Sequence, residues 1–398
     1  MQPFMNTSKD LVLKYLATSD FKKYLVKFSP ELKNNFDKDR NNFSEFWALS
    51  NKYILNSSPK LKRSKKEMNT VNSIKSFSEN TKKMFLRQYS SHIYSILTND
   101  MNRYINLDQL VYEINNVVPN ISPTKKEISI ENKKVLKEKE GLEISQALVI
   151  SSILQLNKEG NHLCHALMLP SQLAKEAEKD FKKNGKVDFG CASIEKFGKY
   201  NIITLKNPKH LNAEDEETLQ PLEAAIDLAL MDDMSEICVL RGGIVNHPKY
   251  ANKRIFGSGI NLTHLYNGKI SYLWYIKRDM GAVNKVFRGI AHEEFSIDDP
   301  FFPTREKPWI ATLDTFAIGG GCQYLLVMDH IIADKDSYMT LPARKEGIIP
   351  GVANLRLWRF TDDRIARQAI QSGLRIDSNS KQGSFICDEV IDPKFMDE

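Results

Sequence analysis

The segment Ala317-Ile318-Gly319-Gly320-Gly321-Cys322-Gln323-Tyr324-Leu325-Leu326 holds the residues of this chain best suited, by type and spacing, to do chemistry. An apolar run, Trp309 to Leu313, leads into the consecutive glycines, and a helix-compatible apolar segment follows at once. Glycines let a backbone turn sharply and let another molecule approach the main chain closely. A helix starting there presents unpaired N–H groups and the positive end of its dipole. Such an arrangement can hold an oxygen that becomes negative during a reaction. Gln323 follows Gly320 at helical spacing, so its amide shares that face. A second segment, Arg254-Ile255-Phe256-Gly257-Ser258-Gly259-Ile260-Asn261-Leu262, also places small residues at a strand end ahead of a helical pattern. Taken alone, the glycine triplet reads equally well as a tight strand-to-helix packing turn.

Together the two segments resemble the oxyanion hole of the crotonase (enoyl-CoA hydratase/isomerase) superfamily. Other marks match in order. Asn207-Pro208-Lys209-His210-Leu211-Asn212-Ala213 is similar to the first coenzyme A loop. Leu341-Pro342 and Gly347-Ile348-Ile349-Pro350-Gly351 resemble the strand and turn after the triplet, and Cys387-Asp388-Glu389-Val390 the late strand. The resemblance runs from about residue 190 to 392. It implies that the backbone N–H groups of Ile260 and Gly320 receive a thioester oxygen. Hydratases carry two glutamates beside the substrate; Gln323 and Ala343 stand at those positions here. Neither moves a proton as a carboxylate does, which argues against water addition.

Three stretches narrow the resemblance: Leu211-Asn212-Ala213-Glu214-Asp215, Tyr272-Leu273-Trp274-Tyr275-Ile276-Lys277-Arg278-Asp279, and Pro342 to Gly351. They are similar to the cofactor-independent 3,5-dihydroxyphenylacetyl-CoA 1,2-dioxygenases within the superfamily, which also carry a long helical N-terminal part. The resemblance implies an arylacetyl-CoA and O₂ as substrates, with no cofactor and no metal, and an arylglyoxylate and CoA as products. It places such an enzyme in dihydroxyphenylglycine supply for antibiotic biosynthesis. Two donors on the thioester oxygen would stabilise the enolate by roughly 3–4 kcal/mol each. Gln323 matches an active-site glutamine. Glu214 and Arg278 match polar residues at the aryl end, one accepting and one donating hydrogen bonds; without the resemblance they read as a surface residue or an ion pair. Gly321 falls beside the substrate, and Lys209, Leu211 and Ser258 match coenzyme A contacts. No base for the proton beside the thioester is evident, and Glu214 is a candidate by chemistry only. Tyr266, Tyr272, Trp274 and Tyr275 suit either an aryl pocket or a buried helix face.

The elements that must position these residues divide at about residue 188. Residues 1–188 read as a mainly helical domain and 189–398 as a crotonase-like α/β domain of repeated ββα turns. In the first part, residues Leu11, Leu13, Tyr15, Leu16, Phe21, Tyr24 and Leu25 recur at helical spacing. Phe85, Tyr89, His92, Ile93 and Ile96 form a clearer stripe, and further helices are expected over Ile144–Leu156 and Pro170–Lys183. Pro119 to Glu140 reads as a linker or mobile loop, and Lys60-Leu61-Lys62-Arg63-Ser64-Lys65-Lys66 as a solvated loop. His162 and His165 have metal-ligand spacing, but no Cys or carboxylate pattern completes a site, so a core or capping role is expected. In the second part, Tyr200–Leu205, helical Glu217–Met231 and Glu236–Leu240 suggest a strand–helix–strand crossover.

Composition sets the outer bounds. Length suggests roughly two or three domains. The apolar share is 41%, enough for a sizeable core. The net charge is +6, with lysine concentrated before residue 185; because its run at Lys60 to Lys66 reads as a solvated loop, nucleic-acid binding is not expected. No apolar run approaches the roughly 20 residues of a membrane span. No leader of signal type is evident, and the five scattered cysteines show no zinc spacing, which suits a reducing cytoplasm. Cys322 is expected to pack rather than react. By resemblance the protein is a homo-oligomer, a trimer or hexamer. The chain ends soon after Val390, where crotonases continue with helices that cover the site and build the trimer. Another acyl-CoA hydrolase or isomerase, or a truncated non-catalytic homologue, therefore stand as alternative readings.

Overall fold

The computed structural model describes residues 29–294, 304–349 and 351–398. The stripe expected over Leu11 to Leu25 and the turn residue Pro350 lie outside the described residues. Those described form two compact units: one up to Ala166 together with Tyr266–Leu273, the other Leu167–Leu265 with Trp274–Glu398.

In the first unit, α1 (Phe36–Leu55) begins at Asn35, whose side chain accepts the Lys38 N–H. Its buried Phe43 and Trp47 make ring contacts with Phe85 of α2 (Lys65–Thr98). The expected stripe on α2 is corrected. Phe85, Tyr89 and Ile93 are buried, but His92 is exposed and Ile96 is 47% exposed. The buried arc instead includes Leu86, Tyr94 and Leu97, because α2 packs on α1 and on a later helix at once. After α3 (Leu107–Val117), the stretch expected to be a loop contains α4 (Lys125–Glu131). Thr124 and Glu127 close a reciprocal capping box at its start, and Ile121 and Ile128 are buried. The basic run is likewise no plain loop. It forms a 3₁₀ turn over Lys60–Lys62, Ser64 caps α2, and the nearly buried Arg63 pairs with Glu140 at 2.7 Å. Helices α5 (Glu143–Leu154) and α6 (Asn157–Met168) follow. His162 is buried, in a hydrogen bond with Tyr94 Oη at 2.9 Å and stacked on Tyr104.

The second unit takes in α7 (Gln172–Asn184), which packs on elements that follow it. Its buried Phe181 carries the Lys196 ammonium over its ring. Next come β1 (Lys186–Asp188), β2 (Ala192–Phe197), β3 (Tyr200–Leu205), α8 (Glu216–Met231) and β4 (Ile237–Gly242). After short helices α9 (Leu262–Tyr266) and α10 (Tyr272–Lys277), a π-helical turn spans Arg278–Val283 and leads into α11 (Asn284–Arg288). Then follow β5 (Trp309–Leu313), β6 (Phe316–Ile318), α12 (Gly320–Leu325), β7 (His330–Asp334) and β8 (Tyr338–Thr340). Helices α13 (Ala343–Glu346), α14 (Gly351–Phe360) and α15 (Asp363–Ser372) precede β9 (Ile376–Asp377) and β10 (Glu389–Ile391).

One sheet has the order β1-β2-β3-β4-β5-β7-β10 and a smaller one β6-β8-β9. From β3 through β10 the large sheet is parallel; β1, β2 and β3 meander antiparallel. Parallel neighbours need crossovers, and α8 supplies the one between β3 and β4 while packing on β2 and β3. Alternate residues of β4 and β5 are buried, including Cys238, Leu240, Trp309, Ala311 and Leu313. The chain leaves the large sheet between β5 and β6. That switch places the glycine triplet directly after β6, an edge strand of the small sheet.

Candidate active site

The site begins at the start of α8. Asp215 caps that helix by accepting the Glu217 and Thr218 N–H groups, and Thr218 Oγ1 receives the Asp215 N–H in return. Asp215 Oδ2 also accepts Asn261 Nδ2–H at 2.9 Å and lies 3.0 Å from His264 Nδ1. Helix start and distant loop are thereby tied together. Glu214, one residue earlier, forms a parallel bridge with Ile260. Its N–H donates to Gly259 O at 2.7 Å, and its carbonyl accepts Asn261 N–H at 2.8 Å. In a parallel bridge of this kind the partner's own N–H points the other way, so the Ile260 N–H faces away from the Glu214 backbone.

The Ile260 segment lies against the glycine triplet. Gly257 bridges Ala317, and its carbonyl accepts the Ile318 N–H at 2.9 Å. Gly259 has φ +77°, and a Cβ there would come within 2.8 Å of Ile318 O and 3.0 Å of Gly320 N. Only glycine allows this approach. Gly320 opens α12, so its N–H belongs to the set a helix leaves unpaired. Two main-chain N–H groups, of Ile260 and Gly320, thus stand on adjoining segments. A Cβ at Gly320 would fall 2.5 Å from Glu214 Oε1, so the charged residues crowd directly against this turn.

Arg278 is 3% exposed and organises those residues. Its Nε and Nη2 donate to Glu214 at 2.7 and 2.9 Å, in a bidentate fork. Nη2 also donates to Gly320 O at 2.8 Å, and Nη1 to Gln323 Oε1 at 2.7 Å and Asp279 Oδ1 at 2.8 Å. A guanidinium has five N–H groups, and all are engaged. Burial alone would weaken its hold on the proton, but Glu214 and its other neighbours outweigh burial and raise its pKa. The guanidinium also lies over the Tyr324 ring, 4.8 Å from its centroid. Burial, with Glu214 next, pushes the Tyr324 phenol well above its usual range.

The expected residues therefore meet, with changes of role. Glu214, Arg278 and Gln323 are buried and form one hydrogen-bonded group with the half-buried Gly320. Glu214 and Arg278, expected by resemblance at the aryl end of a substrate, are paired with each other, the ion pair that the residues alone also allowed. Both Glu214 oxygens accept from Arg278, which makes Glu214 a poor candidate for a base. Gly321 packs against backbone: a Cβ would sit 2.9 Å from Gly257 O. It lines, with Glu214, Asn212, Phe256 and Tyr324, a cavity of about 10 Å³. Lys209 is exposed and Leu211 half-buried, packed against the buried cluster of Val245, Ile255 and Phe316. Ser258 Oγ donates to His210 O at 3.1 Å, which holds that loop to the Ile260 segment. Of the aromatic group, Trp274 is buried with the Arg278 guanidinium 6.0 Å from its ring centroid, whereas Tyr266 and Tyr272 are 57% and 42% exposed. Tyr275 is half-buried, and burial pushes its phenol to about 12. Ala343 is buried at the start of α13. Cys322 Sγ lies 3.0 Å from Ala317 O, and burial pushes its thiol up to about 12, so it packs.

Sequence reasoning assigned no role to Asp215, Asn212, Asp279 and Tyr324. Asp215 was visible as the cap of an Asp-x-x-Thr pattern. Asn212 adopts φ +55° and donates to Gly243 O and Ile255 O, contacts that no local pattern announces.

The enoyl-CoA hydratase/isomerase family matches residues 299–392. The chain is 40% identical over 316 residues to the (3,5-dihydroxyphenyl)acetyl-CoA 1,2-dioxygenase of Amycolatopsis orientalis, covering 79% of this chain and 71% of that protein. It is 27% identical over 202 residues to the short-chain-enoyl-CoA hydratase of Clostridium acetobutylicum, covering 50% of this chain and 68% of the hydratase. Alignment with the Amycolatopsis enzyme extends well beyond the half of the chain shared with the hydratase, so the likeness includes part of the helical N-terminal region. By this extent of identity, the chain belongs to the crotonase (enoyl-CoA hydratase/isomerase) superfamily, in the family of the (3,5-dihydroxyphenyl)acetyl-CoA 1,2-dioxygenase.

Proposed function

We propose that this protein is a dioxygenase that converts an arylacetyl-CoA, with 3,5-dihydroxyphenylacetyl-CoA as the leading substrate, and O₂ to the arylglyoxylate and CoA. The single observation that carries this reading is the buried group of Glu214, Arg278 and Gln323 set against the Gly320 turn. A hydratase needs carboxylates at the positions of Gln323 and Ala343, and this chain has none there.

The thioester oxygen would accept the N–H groups of Ile260 and Gly320. Loss of a proton from the carbon between ring and carbonyl then gives an enolate, stabilised by both donors. That carbon gives two electrons to O₂ in forming a C–O bond. The distal peroxide oxygen attacks the thioester carbon, and the C–S bond breaks with CoA leaving as thiolate. The O–O bond then cleaves as the second proton of the same carbon departs, leaving the ketone and the carboxylate. The reaction needs no reductant, and in this reading no metal or organic cofactor takes part. Lys209, Leu211 and Ser258 would hold the coenzyme A moiety. The reading extends on family grounds to a cytoplasmic trimer or hexamer. Among the described residues no helix is long and apolar enough to cross a membrane.

Arg278 would act by holding Glu214, Gln323 and the Gly320 carbonyl in place. A ring hydroxyl would reach it only by displacing one of its present acceptors. The test is oxygen uptake by metal-stripped protein given 3,5-dihydroxyphenylacetyl-CoA, with free thiol followed in parallel. Equimolar O₂ loss and thiol release, abolished by Gln323→Ala or Arg278→Ala, is the expected result. Thiol release without O₂ loss would reassign the protein as a hydrolase, and a folded protein inert to this substrate would sink the dioxygenase reading.

A further inference from the structure

Lys285 is a buried charge that the proposed reaction does not use. It lies in α11 with its side chain 1% exposed. Its ammonium is 2.7 Å from Glu223 Oε1 and 2.8 Å from Asp227 Oδ1, both on α8. Asp227 is fully buried, and its Oδ2 accepts the N–H of Ser171, the cap of α7, at 2.7 Å. Elements from α7, α8 and α11 therefore converge on one ammonium and two carboxylates. Burial would strip Lys285 of its proton, but Asp227 and Glu223 outweigh it and raise its pKa, so it stays charged.

A buried ionic cluster adds little net stability, because desolvation offsets the attraction. Its best-attested use is to select one arrangement among several. The arrangement at stake here is the π-helical turn Arg278–Val283, which ends where α11 begins. Such turns are rare and occur often at functional positions. Glu223 touches this turn directly as well: a Cβ on Gly281 would sit 2.9 Å from Glu223 Oε1. The first residue of the turn is Arg278.

We infer that Lys285, with Glu223 and Asp227, is a positioning residue for Arg278. The cluster fixes the register of the π-helical turn on α8 and thereby keeps the guanidinium on Glu214, Gly320 O and Gln323. The kinetic part of the inference rests on the function proposed above; the structural part does not.

The full chain is tested as Lys285→Met and, separately, as Gly281→Ala, which keeps every charge but pushes the turn off Glu223. Amide exchange over residues 278–283 is expected to quicken by about tenfold or more in both variants, while β3 to β5 keep their protection. With an arylacetyl-CoA substrate, kcat is expected to fall about 100-fold, the usual scale for a misplaced group, with KM changed far less. That loss should vanish when Lys285→Met is made in an Arg278→Met background, since the two then act on one interaction. Unchanged exchange in residues 278–283, or exchange that quickens equally in the sheet, would overturn the inference. So would kinetic losses that multiply in the double variant. If Lys285→Met does not fold, Gly281→Ala and Glu223→Gln decide by the same readouts. If the unaltered protein consumes no O₂, the function proposal fails, and amide exchange alone judges the positioning role.

Discussion

Two buried cations, one in each unit, behave in opposite ways. Lys82 of α2 is 4% exposed, and its ammonium has one hydrogen bond, to Ser145 Oγ at 2.8 Å, and the Trp47 ring 5.8 Å away. Burial dominates there and pulls its pKa down to about 8. Arg278 is as deeply buried, but it meets a carboxylate fork, a second carboxylate, a side-chain amide and a carbonyl. Its pKa moves up instead. The helical unit tolerates a charge that its neighbours barely answer, whereas the sheet unit converges four acceptor groups on one guanidinium, from Glu214, from the adjacent Asp279 and from the Gly320–Gln323 turn. Burial of a charge alone marks no site. Convergence of partners distant in sequence does.

The comparison is most directly broken by Arg278→Met. It leaves Glu214 buried without its partner, which should cost about 3–5 kcal/mol. On the function proposed here, kcat/KM should fall about 1,000-fold, equivalent to about 4 kcal/mol, as read by oxygen uptake. A variant with near-normal turnover would mean the cluster is only structural. Gly320→Ala comes next. Its methyl group would meet Glu214 Oε1 and the Arg278 guanidinium. Loss of the donor geometry should lower kcat by about 100- to 1,000-fold, and retained activity would remove Gly320 from the oxyanion hole.

Lys82→Met tests the other side and should have the opposite sign. The folded-state pKa of about 8 lies below the ordinary 10.5, so folding favours the neutral amine. Charging it costs stability below pH 8, and the penalty fades between pH 8 and 10.5. Removing the charge should therefore stabilise the protein at pH 7 by up to about 3 kcal/mol and by almost nothing above pH 10.5. Urea unfolding at pH 7 and near pH 10.5 checks this; a destabilised variant at pH 7 would show that Ser145 and Trp47 do more than geometry suggests. The smallest effect is expected for Gln323→Ala measured as stability. It removes one acceptor from a charged donor and should cost about 2 kcal/mol. A cost near zero would indicate that water replaces the amide freely.

The sequence carried more of the site than of the first unit's arrangement. Glycine runs, a strand-like lead-in and their order along the chain are local signals, and they single out Ile260, Gly320 and Gln323 as candidates; the structure sets Gln323 and Gly320 O on one guanidinium. The capping box Thr124–Glu127 was equally local and shows the expected loop over Pro119–Glu140 to be partly a helix. The stripe on α2 shifted for a different reason: periodicity reports a helix, but which arc is buried depends on how many neighbours cover it.

By itself, the amino-acid sequence determined that glycines stand at 257, 259 and 319–321, where a backbone can turn sharply, and that Gln323 and Ala343 occupy the positions that by resemblance carry carboxylates in hydratases. It determined the strand–helix–strand order that leads to a parallel sheet. Tertiary structure alone decided that Glu214 and Arg278 spend their charges on each other, and that Arg278 keeps no donor to spare. It also decided that Lys285 stands behind the turn that bears Arg278. Such pairings join residues some 60 positions apart, Glu214 with Arg278 and Glu223 with Lys285. A charge in sequence is the same whether it meets water or a buried partner; only packing, by removing the water, decides which partner must answer it.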